Sequence, residues 1–133
     1  MRGEEELLLR ANAAFYAALA SGDLEAMDAV WSRRLPVACI HPGWQPLCGR
    51  DAVMASWEAI FEGGRAPPIR CEGEEPHLLG STAYVTCFER IGAESLAATN
   101  LFVLEDGAWR LVHHHAGPVA RRPEAPPPAR TLN

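Results

Sequence analysis

Four of the five histidines, His41, His113, His114 and His115, stand near the ends of strand-like segments. Imidazole exchanges its proton near neutral pH, so these side chains can carry acid–base work, orient a ligand or hold a metal. In an extended strand, neighbouring residues face opposite ways. Alternation therefore groups His113 and His115 with Trp109 and Leu111, and His114 with Arg110 and Val112. Arginine stays wet or sits at an interface, so the Arg110 face is expected outside and His113 and His115 inside. Three roles stay open for them: hydrogen-bonded core groups, acid–base or ligand-orienting groups, or a three-histidine metal site with His41. Two ligands at i and i+2 can reach one metal, although spacing alone does not build a site. No stoichiometric metal and no other cofactor is expected.

Other residues join this set. Trp31, Trp44 and Trp57 are candidates for a flat apolar ligand wall, with helix-to-sheet core as the alternative for Trp31 and Trp57. Trp44 follows Pro42-Gly43 and is the better rim candidate. Tyr16 lies one helical turn beyond Asn12, so the pair lines either one pocket wall or a solvated helix face. Glu89 shares a strand face with Val85 and Cys87. If it points inward, its acidity falls and it can move a proton; the alternative is a solvated strand-end carboxylate. Asn100 stands alone among apolar residues, as a ligand-orienting group or a satisfied buried amide.

The elements that must position these groups are legible in the spacing. Leu8, Ala11, Phe15, Ala18 and Leu19 form a helical stripe within residues 4–20. Ser21-Gly22-Asp23 stops that helix and caps a short second one, Leu24 to about Trp31. Val37 to His41 and Trp44 to Cys48 read as short strands. Gly49-Arg50-Asp51 opens a third helix with Val53, Trp57, Ile60 and Phe61 on one face, closed by Gly63-Gly64. Strands follow over residues 69–79, 82–91, 95–104 and 109–115, joined by tight turns. Helices first and hairpin-linked strands last indicate an α+β fold, a curved antiparallel sheet over about three helices. Residues 1–120 are expected to form one domain, and the proline-rich residues 121–133 a tail without structure of its own.

Composition narrows the function classes. The 133 residues suit one domain. All 12 basic residues are arginine, set against 17 acids, with no basic stripe, so a nucleic-acid partner is not expected. No stretch approaches the ~18 apolar residues of a membrane span, and the first six residues show no secretory signal. Cys39, Cys48, Cys71 and Cys87 contain no C-x-x-C pair, which excludes a zinc ribbon or dithiol motif of that type. They are read as packing residues of a cytoplasmic protein.

The arrangement resembles the nuclear transport factor 2-like superfamily, in its SnoaL-like and ketosteroid isomerase-like branch. The residues that carry the resemblance are Ser21-Gly22-Asp23-Leu24, Cys39-Ile40-His41-Pro42-Gly43, Gly49-Arg50-Asp51-Ala52-Val53 and Gly107-Ala108-Trp109-Arg110-Leu111-Val112-His113-His114-His115. It spans about residues 5–118. It implies a cone-shaped fold and homodimers packed sheet to sheet, here through the face of Arg110, Val112 and His114. Related isomerases and cyclases use a carboxylate base. No Asp occurs between Ile69 and Leu104, so Glu89 is the substitute. The expected function is binding of a small hydrophobic ligand, as an isomerase, cyclase or lyase working on a carbonyl compound by acid–base chemistry. The alternative is a non-catalytic ligand-binding or dimeric assembly module. The pocket is expected between the third helix and the last strands, lined by His41, Trp44, Asn100, His113 and His115. Glu89, His113 and His115 are the expected catalytic groups. Tyr16, Trp31, His41, Trp44, Trp57 and Asn100 are the expected ligand contacts.

Overall fold

The computed structural model describes residues 2–64 and 68–120. Helix α1 (Arg2–Ser21) leads into α2 (Leu24–Val30), then β1 (Ala38–Ile40), β2 (Leu47–Cys48) and α3 (Arg50–Glu62). Four long strands follow: β3 (Ile69–Leu79), β4 (Thr82–Ile91), β5 (Glu94–Glu105) and β6 (Ala108–Pro118). The tail expected at 121–133 lies outside the described residues.

Helix α1 buries Leu8, Asn12, Phe15, Tyr16 and Leu19, spaced three or four apart. Asn12 and Tyr16 thus sit on its buried face, not on a solvated one. The helix stops where Gly22 adopts φ 66°, a left-handed conformation that a side chain would strain. Asp23 then accepts a hydrogen bond from the Ala26 amide at 3.1 Å, capping α2. Arg50, on the first turn of α3, donates to the carbonyls of Asp28, Trp31 and Ser32 and to Asp28 Oδ1, at 2.6–3.0 Å. It satisfies carbonyls at the end of α2 and ties the two helices together.

The six strands form one sheet in the order β2-β1-β6-β5-β4-β3. Strands β3 to β6 are hairpin-linked neighbours. The last turn, Asp106-Gly107, has φ values of 55° and 81°, both positive as in a tight type I′ hairpin. The expectation of antiparallel pairing needs one correction: β1 runs parallel to β6, with Ala38 opposite His113. No hairpin joins these two strands, so nothing local dictates their sense. The curved sheet wraps over the helices as a cone-shaped α+β fold.

Its inner face carries Val85, Cys87 and Glu89 from β4 and Leu96, Asn100 and Phe102 from β5, all buried. In β6 the alternation breaks. Leu101 pairs with His113, but Phe102 pairs with Leu111. Val112 is the extra residue of a β-bulge and resets the parity of everything after it. Trp109 and Leu111 face inward as expected. Beyond the bulge it is His114 that points in, while His113 is half-buried on the other face and His115 is exposed. This corrects the expectation that His113 and His115 line the interior. The bulge falls where β6 changes neighbours: Leu111 bridges to Trp31 and its carbonyl accepts from the Ser32 amide, and from His113 onward β6 pairs with β1.

Candidate functional site

A cavity of about 220 Å³ opens between α3, the loop after β1 and the ends of β4 to β6. Leu19, Ile60, Ile69, Ile91 and Leu96 form its apolar wall, His41, Trp44 and Trp57 an aromatic one, and Glu89 and His114 its polar end. Depressions of about 500 and 520 Å³ lie near Pro118 and between α2 and α3. None of their lining residues is buried, so neither sequesters chemistry from water.

The polar end is built from four elements, α1, β4, β5 and β6. Glu89 and His114 are 3% and 2% exposed. Asn100 Nδ2 donates to Asn12 Oδ1 at 2.8 Å and to the Tyr16 hydroxyl at 3.2 Å. Its oxygen is thereby left to accept from His114 Nδ1–H, at 2.6 Å. That bond assigns the tautomer: His114 Nε2 keeps a lone pair, and it faces Glu89 Oε2 at 3.6 Å. The separation is a close approach rather than a hydrogen bond. The Tyr16 hydroxyl donates to the same carboxyl oxygen at 2.7 Å. At this end of α1, Tyr16 also touches Cys87 Sγ at 3.4 Å, and Asn12 reaches Cys71 Sγ at 3.6 Å.

Burial sets the protonation of this cluster. Desolvation, aided by the nearby histidines, pushes the pKa of His114 down to about 3. Desolvation raises that of Glu89, against the opposing hydrogen bond from Tyr16. Both shifts favour the neutral forms, a protonated carboxyl facing an imidazole nitrogen with a free lone pair. His41 at the cavity wall is also held neutral, its pKa pushed down to about 4 by burial. The Ser56 hydroxyl donates to Val53 O at 2.6 Å and so accepts from His41 Nε2–H at 2.8 Å. The His41 ring meets Trp44 and Trp57 edge-on, with centroids 4.7 and 4.6 Å away. Burial likewise pushes the Cys39 thiol up to about 12, which keeps it unreactive.

The expected residues divide accordingly. His41, Trp44, Trp57 and Glu89 stand at the cavity. Tyr16 and Asn100 stand behind it, in the network that holds Glu89 and His114. Trp31 is elsewhere, packed in the core against Phe15. His113 and His115 are on the outer face, where His113 Nδ1 bonds to Ala38 O at 3.0 Å. They cannot share a site with His41, and no group of three or more metal-ligating side chains forms among the described residues. Sequence reasoning missed His114 and Ser56. Ser56 could have been found, because it shares the Val53–Trp57–Ile60 face of α3. His114 could not, because three consecutive histidines present both faces and the bulge chooses between them.

A curved sheet wrapped over three helices, with a half-open cavity at one end, is the architecture of the nuclear transport factor 2-like superfamily. Within it, the chain belongs to the SnoaL-like domain family, whose model matches residues 8–121. A candidate dehydratase of the NTF2-like family from Streptomyces avermitilis is 30% identical, with a TM-score of 0.83 over 90% of this chain and 99% of that one. A candidate calcium/calmodulin-dependent protein kinase type II association domain from Thiobacillus denitrificans is 36% identical, with a TM-score of 0.71 over 83% of this chain and 93% of that one. Among curated proteins, the F-box protein SKIP8 of Arabidopsis thaliana is 25% identical over 111 residues, 82% of this chain. The chain spans about half the length of that relative, 48%. No helix among the described residues is long and apolar enough to cross a membrane.

Proposed function

We propose that the cavity binds a small hydrophobic carbonyl compound and that Glu89 and His114 move a proton on it, as in an isomerase, cyclase or lyase. The observation that carries this reading is the one-proton pair at the polar end of the cavity. The carboxyl is buried, burial favours its protonated form, and a neutral imidazole nitrogen stands 3.6 Å away. A group poised in this way can donate to or accept from a ligand with little change in solvation. Likeness to the candidate dehydratase supports the lyase form, in which a proton leaves carbon and water leaves its neighbour. Tyr16 and Asn100 act as positioning residues. Exchange of the α-hydrogens of 1-indanone in D2O, followed by NMR, tests the reading. The protein should accelerate exchange over buffer, and Glu89→Gln should reduce that acceleration by ~10²-fold or more. Binding without any acceleration would leave a non-catalytic binder.

A second reading, assembly, rests on the outer face of the sheet. Tyr84, Phe88, Ala97, Thr99, Leu101 and His115 turn outward from β4 to β6, and none is Asp, Glu, Lys or Arg. Phe88 is 45% exposed, an apolar group suited to burial against a second copy. Of the expected interface residues Arg110, Val112 and His114, His114 faces inward and Val112 is buried at the bulge; Arg110 stays on the outer side, joined there by His113 and His115. Likeness to the candidate association domain supports this reading. Light scattering should give a dimer, and Phe88→Glu a monomer; a monomeric wild type would remove it.

A further inference from the structure

The cavity's size and charge say more about its occupant, on the reading that it is a ligand site. An engineered cavity of about 150 Å³ takes up benzene. By that ratio 220 Å³ holds roughly nine non-hydrogen atoms: one substituted ring or two small fused rings.

Charge selects further. No Arg or Lys lines the cavity, and its titratable groups are Glu89, His41 and His114. The elements packed around these groups supply neutral side chains to them: Tyr16 and Asn12 from α1, Cys39 from β1, Ser56 and Trp57 from α3, Cys87 from β4 and Asn100 from β5. A bound anion would lose its hydration, find no cation in exchange, and lie beside a carboxyl group. A bound ammonium would require a charged carboxylate in a site that disfavours one. The geometry points to an uncharged compound of one or two rings bearing a hydrogen-bonding oxygen, taken up in preference to its carboxylate and ammonium counterparts and to four-ring compounds.

Four probes separate the possibilities: 1-indanone (uncharged), indane-1-carboxylate (anion), 1-aminoindane (cation) and androst-4-ene-3,17-dione (four rings). Binding is read at pH 7 by quenching of tryptophan fluorescence, since Trp44 and Trp57 line the cavity, and by calorimetry. The ketone should bind at least tenfold more tightly than each of the other three. In Ile91→Lys, which places an ammonium in the half-exposed wall, the carboxylate should gain at least tenfold while the ketone changes little. Equal or tighter binding of carboxylate, amine or steroid by the wild type would overturn the selection and leave the pocket reading in place. If none of the four binds, the pocket reading falls with it. Loss of α-hydrogen exchange alone, with the binding order kept, would remove the catalytic reading and leave this one.

Discussion

Replacing Glu89 by Gln tests the protonation of the buried pair without knowledge of a ligand. The amide keeps the size and hydrogen-bonding capacity of a protonated carboxyl and cannot ionise. In the folded protein burial raises the pKa of Glu89; in the unfolded chain the carboxyl ionises near its ordinary 4.5. Above pH 4.5, therefore, the unfolded state gives up a proton that the folded state retains, and wild-type stability falls as pH rises. A whole proton corresponds to about 1.4 kcal/mol per pH unit. The fall ends when folded Glu89 ionises as well. His41 and His114 act in the opposite sense. Their folded pKa values, about 4 and about 3, lie below the ordinary 6.5. Their contribution is fully present above pH 6.5 and is lost as pH drops toward 4. Both proteins share that dependence, so it cancels in the difference between them. From pH 4.5 to 6.5 the variant should gain on the wild type by up to ~2.3 kcal/mol, since the unfolded carboxyl is already half ionised at the lower pH. Urea unfolding followed by circular dichroism at pH 4.5, 5.5, 6.5 and 7.5 measures the gap. A difference that stays constant across this range would show that Glu89 titrates normally and refute the one-proton pair.

Three further outcomes follow from the same structure. Asn100→Leu strands the His114 Nδ1–H and the Asn12 oxygen, both buried, and should cost about 3 kcal/mol in urea unfolding at pH 7; a loss below 1 kcal/mol would mean the network relaxes freely. Arg50→Met removes four hydrogen bonds between α3 and the end of α2, and should cost about 2 kcal/mol, since the arginine side chain is 22% exposed. His115→Ala should shift stability by less than ~0.5 kcal/mol and leave ligand binding unchanged, whereas His114→Ala should cost at least ~2 kcal/mol; equal effects would contradict the placement of the bulge.

Much of this protein was legible before its coordinates. Side-chain periodicity located the three helices, and glycine at Gly22, Gly80 and Gly107 marked the turns, because both signals are local. Glu89 could be placed on the inner face by counting from Val85, since β4 keeps a regular register with β5 throughout. Counting failed in β6 because a bulge has no dependable signature of its own. It arises where the strand leaves Trp31 and joins β1, and that exchange of partners involves segments about 75 residues apart in the chain. For the same reason Asn12 and Tyr16 stayed ambiguous: only the packing of α1 against the sheet turns their polar groups toward Asn100 and Glu89. Local patterning sufficed for the elements, the α+β class and the stock of acids, imidazoles and indoles available for chemistry. Which imidazole meets the carboxyl, and which of the two holds the proton, was decided by tertiary structure alone, because register and desolvation depend on residues far apart in sequence.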